Sequence, residues 1–417
     1  MSLVRGTWNK MEDRAPRLRK DLEFFPVQQG NQTLILIRDH LGLVSEGTAV
    51  PLDLYELMAM LNGTTSLREL QMFMMRKKGG LLVSAEEIQG ILAHLDQTYL
   101  LESERFFQAR DRIVAEFTSR TVRPCSHCGS TYPNDKDNLR HTLEQILDTA
   151  DPALPKPEGP ITALVAPHID LSVGKRAYAN AYRWLSKINA SRVVILGVGH
   201  QMRDGLFCLT EKDFETPLGR ISTDKKAMEV LCQAGGPIIT KDDFPHKAEH
   251  SLEFQALFLQ HLANDHNFTI VPILCGSFWQ QLSPCTREHF IEKAGRFLEE
   301  LHRILEDKQQ QTILVAGVDL SHIGPKFGHD RPAAYLKAQA DDHDQTLLDA
   351  LILLDAESFW EEATKVQDRF NVCGFSALAC LLEILPHSKG TLLHYEMWFE
   401  PTTQSAVSFC AVGFARS

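Results

Sequence analysis

Three apolar runs in this chain end in the same way. Ile161-Thr162-Ala163-Leu164-Val165-Ala166-Pro167 stops at His168. Val193-Val194-Ile195-Leu196-Gly197-Val198-Gly199 stops at His200, and Val315-Ala316-Gly317-Val318 runs into Asp319-Leu320-Ser321-His322. Continuous runs of this kind suit strands buried on both faces. In an open α/β sheet, ligands bind beyond the carboxyl ends of the strands. Three strands that each deliver a histidine at that end predict one shared site.

Helical spacing alternates with these runs. It predicts helices over 136–148, 171–188, 223–233 (capped by Thr223 or Ser222), 251–263, 287–306, 334–354 and 374–385. Further strands are expected at 205–210, 268–274, 392–397 and 406–414. The alternation predicts an α/β fold, a central, mostly buried sheet with flanking helices, over 123–417. The first third reads differently. Residues 1–20 are polar and predict a flexible arm. Over 21–112 the pattern gives a strand at 33–37, a helix at 51–61 stopped by Asn62-Gly63, a helix capped by Ser66 or Thr65, and a third opened by Ser84. This order predicts a small winged-helix-like α+β domain. A connector helix over 106–117 follows, with a linker over 113–122.

Composition narrows the function classes. A hydrophobic fraction of 44% and a charged fraction of 23% are ordinary for a globular protein. A net charge of −11 argues against a general nucleic-acid binder. No apolar stretch approaches the ~20 residues that span a bilayer, and Met1–Gly6 lacks a signal-peptide core. A cytoplasmic protein is the expectation. Of nine cysteines, Cys208, Cys232, Cys275, Cys380 and Cys410 lie in apolar runs and predict buried reduced thiols.

A single histidine after a strand is more often structural than catalytic. Two after separate strands, with His322 in a third, shift the balance toward a site, because neutral imidazole is the commonest metal ligand and titrates near neutrality. The glycines before His200 do not form Gly-x-Gly-x-x-Gly, which removes the dinucleotide reading. Glu249-His250-Ser251 stands at a predicted helix entrance, where Ser251 or His250 is the expected cap. It is not the His-Glu-x-x-His of zinc proteases. Cys373 stands just ahead of a helix, where a thiol is expected to have a lowered pKa and can serve as a nucleophile or a soft metal ligand. Cys125-Ser126-His127-Cys128 is half of a zinc knuckle. It could complete a site with His127 or His141, or act in redox exchange. The plainest reading is a reduced pair in a turn.

The ordered landmarks of 123–415 resemble the Memo family, whose microbial members are called protein B of the AmmeMemoRadiSam system. They are Arg123-Pro124 with Gly129 and Tyr132-Pro133, Ala166-Pro167-His168, Leu196-Gly197-Val198-Gly199-His200, Thr216-Pro217-Leu218-Gly219 with Asp224, Glu249-His250-Ser251-Leu252-Glu253, Val271-Pro272-Ile273-Leu274-Cys275-Gly276, Asp319-Leu320-Ser321-His322 and Cys373-Gly374. That family shares its fold with class III extradiol dioxygenases, which hold non-haem iron with two His and one Glu. By the resemblance, His168 and His200 match the histidine ligands, and Cys373 stands where the dioxygenases place Glu. His322 matches the acid/base histidine, with Asp319 beside it, while Glu249 and His250 line or support the pocket. Two imidazoles with a thiolate are softer than two with a carboxylate. The implied cofactor is a divalent or copper ion (iron, copper or zinc), and ring cleavage is not the expected reaction. The implied partners are a radical-SAM protein and an AMMECR-like protein. The element order over 21–105 resembles the PqqD-like module, which implies a peptide partner.

Three functions therefore compete: a metal-dependent oxidoreductase, a non-catalytic peptide- or partner-binding module with a vestigial pocket, and metal-assisted hydrolysis. No substrate is named by the sequence.

Overall fold

The computed structural model describes residues 14–30, 32–186, 189–263 and 266–416. The chain divides into two compact units, Met1–Phe117 and Thr118–Ser417.

The first unit pairs β1 (Leu22–Gln29), β2 (Gln32–Asp39) and β3 (Ala49–Pro51) in an antiparallel sheet, followed by α1 (Leu52–Ala59), α2 (Leu67–Lys77), α3 (Ala85–Gln97) and α4 (Glu104–Thr118). Ser66 and Ser84 both close capping boxes, with Glu69 and Glu87 returning to the cap backbone. Ile35, Ile37, Leu57, Leu70, Ile88 and Leu92 build the core. Of the expected arm over 1–20, residues 1–13 lie outside the described residues. Residues 14–20 are part of the fold. Arg19 is buried, forks onto Asp21 and Asp39, and donates to the Tyr99 carbonyl. Its guanidinium lies over Phe106.

The second unit opens with β4 (Val122–Arg123) and α5 (Lys136–Leu147). Then come β5 (Ile161–Ala166), α6 (Lys175–Leu185), β6 (Arg192–Val198), β7 (Phe207–Leu209), β8 (Asp213–Thr216) and β9 (Gly219–Thr223). Next are α7 (Lys225–Gly235), α8 (His250–Ala263), β10 (Thr269–Cys275), α9 (Phe278–Gln281), α10 (Arg287–Leu305), β11 (Thr312–Gly317) and β12 (His322–Ile323). The chain closes with α11 (Lys337–Leu353), α12 (Ala356–Val366), α13 (Phe375–Ile384), β13 (Lys389–Glu400) and β14 (Ser405–Ala415).

One mixed sheet runs β12-β14-β5-β11-β6-β10-β9-β8-β4, with β13 on β14 and β7 on β10. Its centre, β5-β11-β6-β10, is parallel. Alternate residues of these strands enter two different cores, which is why the runs are continuously apolar. Val194 and Leu196 face one side with Ala316 and Val165, whereas Val193 and Ile195 face the other with Val315 and Leu164. Helices cover both faces, so the prediction of a buried α/β sheet holds. Gly317 pairs with both Ala166 and Gly197. The carboxyl ends of β5, β11 and β6 are therefore level.

Several local expectations are corrected. The helix expected over 171–188 starts at Lys175, because the Asp170 carboxylate accepts from the Ser172 amide and hydroxyl and holds a turn there; residues 187–188 lie outside the described residues. The cap of α7 is Asp224, not Thr223 or Ser222. The helix α12 follows a break at Leu354, which has a positive φ of 55°, and is capped by Asp355. Cys232 is exposed; Cys208, Cys275, Cys380 and Cys410 are buried free thiols.

Candidate metal site

The level strand ends bring His168, Asp319 and His200 to one rim. Two helix starts complete it. The α8 start reaches the rim because the sheet has glycine beneath it: a Cβ at Gly317 would fall on the Ser251 carbonyl, and one at Gly197 on the Ser251 hydroxyl and Leu252. The α13 start is clasped by Gly374 N–H donating to the Asp319 carbonyl at 3.0 Å. The ligand atoms of His168, His200 and Cys373 lie within 4.8 Å of one another. Cys373 Sγ is 3.4 Å from His168 Nε2. The His250 ring centroid is 5.0 Å from that of His200 and 5.1 Å from that of His168.

The acceptors around these rings decide which nitrogen carries the proton. The Gly317 carbonyl, 3.0 Å from His168 Nδ1, can only accept. Nδ1 is therefore protonated, and Nε2 presents its lone pair toward Cys373. Glu249 lies 3.1 Å from His200 Nδ1. Burial raises the Glu249 pKa, but His200 and His250 outweigh it and hold the carboxyl far below the usual carboxylate range. An ionised carboxylate only accepts, so His200 Nδ1 is also the donor and its Nε2 carries the lone pair. The same argument gives His322 a protonated Nδ1 on the Leu320 carbonyl, 3.0 Å away. A second cluster, His200, Glu249 and His250, also meets the distance condition for a metal. Its His200–Glu249 contacts are the hydrogen bonds that orient the first set, so the first set is the better fit. A carboxylate behind a metal-ligating imidazole is the usual arrangement.

Burial sets the remaining electrostatics. It lowers His168 to about 3 and His322 to about 4, keeping both imidazoles neutral at pH 7. Burial, with Asp319 nearby, pushes the Cys373 thiol well up, which corrects the lowered value expected ahead of a helix; a cation beside it would supply the missing charge. Asp319 accepts from the His168 amide at 3.0 Å, and burial raises its carboxyl to about 6. His200 is the open side, its side chain 37% exposed. Two nitrogens and one sulfur with an open flank fit a metal ion with exchangeable positions. Ser251 does not cap α8. Its hydroxyl is spent on Val198, and the Glu249 carboxylate accepts from the Ser251 amide instead.

The pattern that defines the Memo-like proteins matches residues 123–413 of the chain. The chain belongs to the Memo-like protein family. A MEMO1 family protein of Aquifex aeolicus is 28% identical over 95% of this chain and 100% of its own length. A protein memo-1 homolog of Caenorhabditis elegans is 28% identical over 68% of this chain and 77% of its own. A MEMO1 family protein of Methanopyrus kandleri is 27% identical over 64% and 89%.

This Memo-like chain also has a polar anchor beside the site that sequence reasoning did not assemble. Glu253, fully buried on α8, accepts from Arg123 Nη1 at 2.5 Å, Tyr132 OH at 2.5 Å, the Ser126 hydroxyl at 2.8 Å and the His127 amide at 2.9 Å. Burial raises its pKa; Arg123 more than reverses that and leaves the carboxyl ionised. Arg123, Tyr132 and Glu253 all stand among the motifs that carried the resemblance, and their types (one cation, one anion, one phenol) were the available signal. The anchored loop sets the His127 ring 5.7 Å from the His250 ring. Cys125 and Cys128 are joined by a disulfide, so the expected reduced pair is corrected, and no zinc set forms with His127. His141 is an exposed residue on α5, bonded to Gln145.

Proposed function

We propose that this chain is a metal-dependent protein with a redox role, its ion held by His168, His200 and Cys373. The observation that carries the reading is the convergence of these three donors, with both imidazoles locked so that Nε2 faces the site. The donor set favours copper or zinc over the hard ions, with iron the remaining candidate. When bound, such an ion supplies Lewis acidity or, for copper and iron, electron transfer.

The chain's own residues would do the rest. Glu249 orients His200 and keeps Nε2 unprotonated. Asp319, raised to about 6, exchanges its proton close to neutrality beside His168. His322 presents a neutral Nε2 that accepts a proton from a substrate. The exposed side of His200 is the path by which substrate enters. The experiment is metal analysis of full-length protein beside His168→Ala, His200→Ala and Cys373→Ser. About one ion per chain is expected in the parent and little in each variant. Equal metal content in all four would overturn the reading.

A second reading concerns the first unit. An apolar groove of about 380 Å³ is lined by Leu54, Met74, Val83 and Ile91. It supports the proposal that this unit binds an extended peptide or a peptide segment of a radical-SAM or AMMECR-like partner. Retention of those partners on the full chain, and their loss with Met74→Glu, is the expected result. Equal retention would count against it.

A further inference from the structure

We propose that Cys125 and Cys128 form a thiol–disulfide exchange site at the rim of the imidazole cluster, opened by a dithiol reductant. The exchange does not depend on the metal reading.

Observations on the bond, its loop and its surroundings lead there. The sulfurs are bonded across a Cys-x-x-Cys spacing. A cross-link stabilises more the longer the loop it closes, and this ring is among the smallest a chain can form. The loop also holds its shape by other means. Glu253 ties down Arg123, Ser126, His127 and Tyr132, and within the loop the Gly129 amide donates to the Tyr132 carbonyl at 2.7 Å and the Thr131 amide to the His127 carbonyl at 2.9 Å. A purely structural role for the bond is thus largely redundant.

The remaining observations concern access and chemistry. Both cysteines are half-buried, unlike the enclosed thiols Cys208, Cys275, Cys380 and Cys410. Cys128 and Cys125 edge the core without entering it. The seven other cysteines are free, so the fold is not one stapled by disulfides. Between the two sulfurs sit Ser126 and His127, and the His127 ring lies against His250 and Phe254. The pair therefore flanks the segment that presents an additional imidazole to the cluster.

The step balances simply. A thiolate of the reductant attacks one sulfur of the pair and forms a mixed disulfide. The Cys125–Cys128 bond breaks, and the other cysteine leaves as a thiolate that takes a proton. The second thiol of the reductant then displaces the bound sulfur. Two electrons and two protons pass to the pair, and the reductant leaves as its own disulfide.

The test uses the full chain without denaturant. Protein is first treated with oxidised glutathione, then alkylated before and after dithiothreitol, and the labelled positions are read by peptide mass. Before reductant, Cys125 and Cys128 should carry neither label nor glutathione, while the exposed Cys232 carries one or the other. After it, both should gain label together, with circular dichroism unchanged, and Cys275 and Cys380 should stay unlabelled. Returning the protein to oxidised glutathione should close the pair again. Label on Cys125 and Cys128 before reductant would show that no bond forms. Label only after denaturant would show a bond that reductants do not reach. Either result overturns the proposal.

Discussion

Glu249→Gln is the sharpest probe of the tautomer argument. Both oxygens of Glu249 are committed to donors: Oε1 takes the Ser251 amide at 3.0 Å, Oε2 takes the His200 amide at 3.1 Å, and His200 Nδ1 lies 3.1 Å from both. A glutamine keeps the volume but replaces one oxygen with an NH₂. Whichever way it turns, that NH₂ faces a backbone donor. It also offers a proton to His200 Nδ1, which drives the ring toward the tautomer protonated on Nε2, the nitrogen needed by the ion. Loss of such a carboxylate costs about 10- to 100-fold in metal affinity, or about 1.4–2.7 kcal/mol. The assay is competition with a chromophoric chelator at pH 7, using zinc so that no redox change intervenes. Ordinary folding should be checked by circular dichroism. Zinc affinity within about threefold of the parent would refute the assignment of His200 Nδ1 as the donor to Glu249.

Three other outcomes follow from the packing. Glu253→Gln removes the charge that pairs with buried Arg123, which should cost about 3–5 kcal/mol and lower the Tm by about 5–8 °C for a unit of roughly 300 residues; because the Glu253 pKa is depressed, that difference should persist at pH 7 and shrink only as the pH falls below about 4.5 toward its folded-state value. His246 is fully buried, bonds the Cys208 carbonyl at 3.1 Å, and is lowered by burial to about 4. Only the unfolded chain protonates it between pH 6.5 and 4, so the parent should lose stability relative to His246→Gln by about 1.4 kcal/mol per pH unit, read from urea midpoints at each pH. Gly317→Ala should destabilise by about 1–3 kcal/mol or more, since the new methyl meets the Ser251 backbone and forces α8 away from the sheet; metal affinity should fall with it.

The parallel centre of the sheet was legible because burial on both faces leaves a composition signal. Val193 through Val198 has no polar residue, and the strand observed there is buried throughout. The histidines were legible because each follows such a run. Short antiparallel elements left no comparable mark: β8 and β9 turn at Thr216–Gly219, and their mixed residues read as loop. The role of Glu253 was hidden for a different reason. Arg123 and Glu253 are 130 positions apart, and nothing local says that they pair. The Cys-x-x-Cys read as half a zinc site, a redox pair or, most plainly, a reduced pair in a turn, and spacing alone did not reveal the bond that joins Cys125 to Cys128. The winged-helix-like expectation for the first unit identified its helices but not β1, whose Pro26 and polar ends mask the strand period.

The central claim is that one thiolate and two imidazoles from distant parts of the chain share an ion. X-ray absorption at the zinc edge of zinc-loaded full-length protein, beside Cys373→Ser, measures this directly. A sulfur scatterer together with imidazole nitrogens in the parent, with the sulfur lost in the variant, is the predicted result. A shell of nitrogen and oxygen alone in the parent, unchanged by Cys373→Ser, would contradict it.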